Sequence, residues 1–186
     1  MEIITYISIL RGINVGGQKK VRMEDLRKVY EDLGFRDVQS YIQSGNVIFT
    51  AGLKTSDQQL AATIEKGVKE KFGFDVPVII RTSDEMKNII EANPFLNKEN
   101  IDKEKLHVTF LADIPEQAKL NNIEMDDYSP DRFIVLNREV FLYCPGGYGK
   151  TKLSNTFFER KLNVKATTRS WKTVNKLMVL AGVYKQ

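Results

Sequence analysis

Val38-Gln39-Ser40-Tyr41-Ile42-Gln43-Ser44-Gly45-Asn46-Val47-Ile48-Phe49 is the stretch on which the fold turns. Two β-rich runs, residues 38–43 and 47–49, flank Ser44-Gly45-Asn46. So short a turn predicts a β-hairpin, with Gly45 or Asn46 at positive φ. Upstream, Met23, Leu26, Tyr30 and Leu33 recur at helical spacing, and Gly34 closes that helix as a C′ residue. Before it, Ile3 to Leu10 is apolar enough for a central strand. Downstream, Ser56 with Gln59 reads as a capping box. It opens a helix whose stripe is Leu60, Ile64, Val68 and Phe72, closed by Gly73. Val76 to Ile80 reads as a fourth strand, with Pro77 favouring an edge position or the strand start. The order is β-α-β-β-α-β, the split βαβ arrangement.

A second pass of the same order follows. Ser83 caps a short helix through Ile90, with Asp84 and Glu85 in its first turn, where the helix dipole favours acids. Asn93-Pro94 ends it, and residues 97–103 form a polar linker. Leu106 to Leu111 is a strand, and Pro115 opens a short helix to Leu120. Phe133 to Leu136 and Val140 to Tyr143 are strands joined by Asn137-Arg138-Glu139. Leu153, Phe157, Phe158 and Leu162 mark a helix, and Ala166-Thr167-Thr168 a short strand. Ser170 caps a last helix with Trp171, Val174, Leu177 and Met178 on one face. The fold expected is α+β: duplicated β-α-β-β-α-β (ferredoxin-like) halves with antiparallel sheets and a C-terminal helix. The halves are 1–82 and 105–186, with a helical linker at 83–104.

Composition narrows the chemistry. The start, Met1-Glu2-Ile3-Ile4-Thr5, has no basic segment before its apolar run and reads as a strand, not a signal peptide. No apolar run reaches the ~18 residues of a spanning helix, so no membrane role is expected. Cys144 is the only cysteine and His107 the only histidine. An internal disulfide is excluded, a thiolate metal cluster is out of reach, and neither metal nor cofactor is expected. A reducing cytoplasm is the natural compartment. Charge is distributed unevenly. Residues 140–186 carry nine Lys or Arg against one acid, and residues 84–127 carry eleven acids against five Lys. That asymmetry is either solvated helix surface or an electropositive face for an anionic partner.

Four segments can hold a ligand. In Arg11-Gly12-Ile13-Asn14-Val15-Gly16-Gly17, Gly12, Gly16 and Gly17 let backbone N–H groups approach an anion. Arg11 offers a bidentate fork, and Asn14, Lys19 and Lys20 add donors. The dinucleotide Gly-x-Gly-x-x-Gly pattern is absent. Gln43, Ser44 and Asn46 are further hydrogen-bonding groups at a sheet end. Gly149-Lys150-Thr151 matches the end of a phosphate-binding loop, but Cys144 replaces its leading Gly, and the split βαβ order is not that of nucleoside triphosphatases. The loop N–H groups with Tyr148, Lys150 and Lys152 remain a candidate anion contact, and Asp113 is a weak candidate for a magnesium-linked acid. Arg169 stands at a helix start, where an anion is favoured. Trp171 either stacks on a base or anchors the core. His107 reads as a structural residue or a general acid–base. Cys144 reads as a buried thiol or a nucleophile. Asp126-Asp127 reads as a solvated turn or a cation site.

Several of these stretches also resemble a known set of bacterial proteins. They are Leu10-Arg11-Gly12-Ile13-Asn14-Val15-Gly16-Gly17, Tyr41-Ile42-Gln43-Ser44-Gly45-Asn46-Val47, Lys150-x-x-Leu153 and Thr168-Arg169-Ser170-Trp171-x-Thr173-Val174. Together they resemble the family numbered 1697 among the domains of unknown function, over essentially the whole chain. Ser170 departs from the pattern, since such proteins more often carry Asn there. The resemblance implies a duplicated ferredoxin-like fold and no particular reaction. It further implies that the glycine loop, the Ser-Gly-Asn hairpin, Lys150 and Arg169 converge.

Beside a protein-interaction or structural role with the two halves as a scaffold, two functions compete. One is a binding module for RNA or single-stranded nucleic acid, with Arg11, Lys20, Tyr148 and the basic C-terminal quarter as footprint. In that reading Phe141 and Tyr143, two apart on one strand, either offer a face to bases or are simply core. The other is a small enzyme or binding protein for a phosphorylated or nucleotide-like molecule in the cleft between halves, clamped by Arg11, Lys150 and Arg169. A monomer or weak homodimer suits either.

Overall fold

The structure, a computed structural model, describes residues 3–52, 55–123 and 128–183. Asp126 and Asp127 lie outside these. The chain divides into two compact units: residues 1–87 with 177–186, and residues 88–176.

In the first unit, β1 (Ile3–Leu10), α1 (Met23–Asp32), β2 (Arg36–Tyr41), β3 (Asn46–Gly52), α2 (Asp57–Phe72) and β4 (Val78–Thr82) follow in the expected order. The strands form one antiparallel sheet, β2-β3-β1-β4. Each helix joins two strands that leave room for a third between them, which is what the split βαβ pattern demands. α3 (Ser83–Glu91) then crosses the boundary between the units.

The sequence explains these choices locally. Ile7, Ile9 and Leu10 are all fully buried, and Tyr6 nearly so. β1 is therefore covered on both faces, which is why it reads as a continuous apolar run and not an alternation. Tyr6, Leu10, Tyr30 and Phe49 belong to a buried cluster with the α2 stripe Leu60, Ile64 and Val68. The one polar β1 residue on that side, Ser8, is satisfied by the Tyr30 hydroxyl at 2.7 Å and donates to the Val47 carbonyl at 3.1 Å. Such pairing is what makes burial of two hydroxyls tolerable. α2 opens on the expected capping box, with Ser56 and Gln59 bonded reciprocally, and ends at Gly73 with φ 79°.

In the second unit, β5 (Leu106–Leu111), the single-turn α4 (Gln117–Leu120), β6 (Arg132–Leu136), β7 (Glu139–Tyr143), α5 (Asn155–Leu162) and β8 (Ala166–Ser170) repeat the plan. The sheet order β6-β7-β5-β8 is the first order shifted by four strands, again antiparallel. α6 (Trp171–Leu180) completes the chain. It is capped as expected, the Thr173 amide donating to the Ser170 hydroxyl at 3.2 Å. The fold is thus α+β, with duplicated halves and a C-terminal helix.

Several boundaries differ from the sequence reading. β2 spans Arg36–Tyr41 and not 38–43, because Ile42 leaves the sheet at φ 50° and Asn46 already pairs with Tyr41. Asn46 is therefore a strand residue, and Gly45 alone of the expected pair has positive φ. β4 begins after Pro77, at an edge of the sheet. The cap of α3 is Thr82 and not Ser83: the Thr82 hydroxyl accepts from the Glu85 amide, and the Glu85 carboxylate accepts from the Thr82 amide. The second hairpin closes through Asn137 and Arg138 only, since Glu139 pairs with Leu136.

Candidate functional site

In the first unit the loop after β1 and the β2–β3 turn are built against each other. Asn14 is the connecting group. Its amide donates to the Val21 and Gln43 carbonyls, each at 2.9 Å, and its oxygen accepts from the Val21 amide at 2.8 Å. One side chain thus ties the glycine loop to the start of α1 and to the hairpin. Gly45 makes the approach feasible. Its carbonyl accepts from the Leu10 amide at 2.8 Å. A Cβ there would lie 2.7 Å from Ile13 Cδ1 and 2.8 Å from Leu10 Cβ, so only glycine fits.

Beside this corner opens a pocket of ≈ 520 Å³, lined by Asn14, Lys20, Val21, Arg22, Met23, Glu24, Arg27 and Gln43. Three cations face one acid. Arg27 donates to the Ser40 hydroxyl at 2.8 Å, which fixes its guanidinium. Arg22 is shared with Glu24 at 3.1 Å and with Asp25. It is the N-cap of α1, and its side chain makes no capping bond. Lys20 and Gln43 are exposed.

The remaining candidates of this unit divide. Arg11 is half-buried, its amide bound to the Pro77 carbonyl. Gly12, Gly16 and Gly17 have positive φ with open space around them, so dihedral angle and not crowding selects glycine there. Lys19 reaches back to the Asp75 carbonyl at 2.6 Å and lies over the Phe74 ring. Asn46 is fully buried, and its amide is spent on the Tyr41 carbonyl and the Ser44 hydroxyl. It closes the turn and offers a ligand no surface.

In the second unit Tyr148, His107 and Arg169 form one group. The His107 and Tyr148 rings stack at 4.9 Å. His107 Nδ1 is 3.2 Å from the Lys105 carbonyl, and burial, the largest influence, pushes the imidazole pKa down. Burial thus favours the neutral ring, and since a carbonyl can only accept, the contact calls for the proton on Nδ1. Arg169 is buried and donates to Thr167 and to the Thr168 carbonyl. Burial lowers it to about 10, partly offset by Tyr148. Lys150 ends a 3₁₀ turn, Tyr148–Lys150. The loop amides of Gly147, Lys150 and Thr151 donate to carbonyls of the same loop. These three amides are therefore spent within the loop. The Cys144 thiol is buried and pushed up to about 11 by that burial, which disfavours the nucleophilic thiolate at neutral pH. Trp171 is 7% exposed, on the helix face that buries Val174 and Met178. Phe141 is 1% exposed, so it presents no face to a base.

Lys152 lies elsewhere in this unit. It lines a groove of ≈ 790 Å³ with Tyr128, Ser154, Thr156, Phe157, Arg160 and Lys161. The sequence reading missed Arg22, Arg27, Tyr128, Arg160 and Lys161. Arg160 and Lys161 were counted as part of the basic quarter, but nothing in their spacing named a partner. Among the described residues, no group of three His, Cys, Asp or Glu side chains is placed to hold a metal ion, and no helix is long and apolar enough to cross a membrane.

A family model, described as protein of unknown function (DUF1697), matches residues 3–141. The chain belongs to the DUF1697 family. Among solved structures it is similar to "conserved bacterial protein SP0830 from Streptococcus pneumoniae", with 24% identity and a TM-score of 0.69 over 97% of this chain and 99% of that one. At that identity the likeness speaks for the fold. No curated protein matches the chain. Within the matched range, the segments Leu10 to Gly17 and Tyr41 to Val47 meet through Asn14 and Gly45.

Proposed function

We propose that this DUF1697 protein binds a small phosphorylated molecule in the first-unit pocket. One observation carries the reading: two separate motif segments are locked together beside a pocket whose charged lining is three cations to one acid. The volume lies within the ~300–1,000 Å³ of small-molecule sites. Arg27, held by Ser40, presents a preorganised fork for phosphate. Lys20 adds a point charge, and the Gln43 amide can orient a polar substituent. The first turn of α1 contributes the positive end of its dipole, although Glu24 and Asp25 already use part of it. The described lining includes neither His nor Cys, so the reading is of binding and not of a defined reaction.

Calorimetric titration with pyrophosphate and a nucleoside monophosphate tests this. Saturable binding that weakens at least tenfold in Lys20→Ala and in Arg27→Ala supports it. Equal affinity in the wild type and both variants refutes it.

A further inference from the structure

We propose that the groove beside α5 is a second site, which binds single-stranded nucleic acid independently of the small-molecule pocket. Its charged lining is Lys152, Arg160 and Lys161, with no acid among the described lining residues. All three cations are exposed. Lys152 precedes α5, whereas Arg160 and Lys161 stand in its last turn. Eight helical residues span ~12 Å, so the charge is spread over more than one phosphate. That geometry suits a chain of phosphates, not a single anion.

The wall adds an aromatic surface. Tyr128 is half-buried, and its ring packs edge-on to Phe157 at 5.1 Å and to Phe133 at 6.3 Å. The ring is thus braced before any base arrives, and stacking immobilises no further side chain. A base can reach such a wall only when unpaired, which favours a single strand over a duplex. The hydroxyls of Ser154 and Thr156 complete the polar lining, Ser154 holding the Phe157 amide at 3.2 Å. Arg160 and Lys161 also complement the negative end of the α5 dipole. That accounts for their sign, but not for Lys152 at the opposite end.

The test is fluorescence polarisation of a labelled twelve-nucleotide oligothymidine and oligouridine across a salt series. Three phosphate contacts predict a log–log slope of about −2, at ~0.7 per contact. Arg160→Glu with Lys161→Glu weakens binding at least tenfold and flattens the slope, while Lys20→Ala leaves both unchanged. Tyr128→Leu weakens binding ~5-fold with the slope preserved. The double variant alters only exposed side chains, so the test stands even if Tyr128→Leu fails to fold. Absence of binding at low salt, equal binding of a duplex of the same length, or indifference to the double variant overturns the proposal. Small-anion binding lost in Lys20→Ala with oligonucleotide binding intact separates the two sites.

Discussion

Replacing Gly45 with alanine tests whether the corner is held by close approach. The residue has φ +77°, and the added Cβ meets Ile13 Cδ1 at 2.7 Å and Leu10 Cβ at 2.8 Å. Left-handed backbone costs a non-glycine residue about 1–2 kcal/mol. Forcing a methyl into a filled site costs a further ~1–3 kcal/mol, and Leu10 Cβ, attached to a strand backbone, cannot rotate away. The expected loss is ~2–5 kcal/mol. Gly16→Ala is the control, since φ is +59° there but nothing lies within 4 Å. It should lose only the backbone share, about 1–2 kcal/mol. Urea unfolding with linear extrapolation measures both. If Gly45→Ala is no more destabilising than Gly16→Ala, the close-approach account of this motif is wrong.

Other outcomes follow from the same geometry. Asn14→Ala removes three hydrogen bonds, one of them exposed, and should cost ~2–3 kcal/mol in the same assay, at about 1 kcal/mol per bond. The His107 pKa is lowered on folding. Above the unfolded value of about 6.5 the imidazole is neutral in both states. As pH falls through that value, the unfolded chain takes up a proton that the folded one refuses, and stability is lost until the folded pKa is passed. His107→Gln should therefore lose less stability than wild type between pH 7.5 and 5, read as urea midpoints; identical losses would contradict this. The Cys144 thiol, pushed up to about 11, should react with iodoacetamide at pH 8 far more slowly in the folded protein than in denaturant, as followed by mass spectrometry.

Local features of the fold were legible where one residue type meets one need. The Ser56–Gln59 box, Gly34 and Gly73 at helix ends, and the apolar run of β1 belong here. The α3 cap was misplaced by one residue, because Thr82 and Ser83 are both good caps and only the Glu85 carboxylate decides between them. α4, a single turn too short for periodicity to register, was legible only through Pro115 just before it. The site was harder. Asn14 and Gln43 could be named as polar groups on loops, but their contact spans 29 positions and has no sequence signal. Asn46 looked like a ligand donor because turns expose such residues, yet the strand begins one residue earlier and buries it. Phe141 was readable either as a stacking surface or as core, because alternation gives a face but not what covers it. Arg27 and Tyr128 were missed for the converse reason: each reads as ordinary helix or loop, and only the fold sets it beside other groups.

The most direct test of the central claim is an amide chemical-shift titration of the whole chain with pyrophosphate. The account predicts saturable shifts centred on Asn14, Lys20 to Arg27 and Gln43, which disappear in Arg27→Ala. Shifts confined to other segments, or none at saturating ligand, would contradict it.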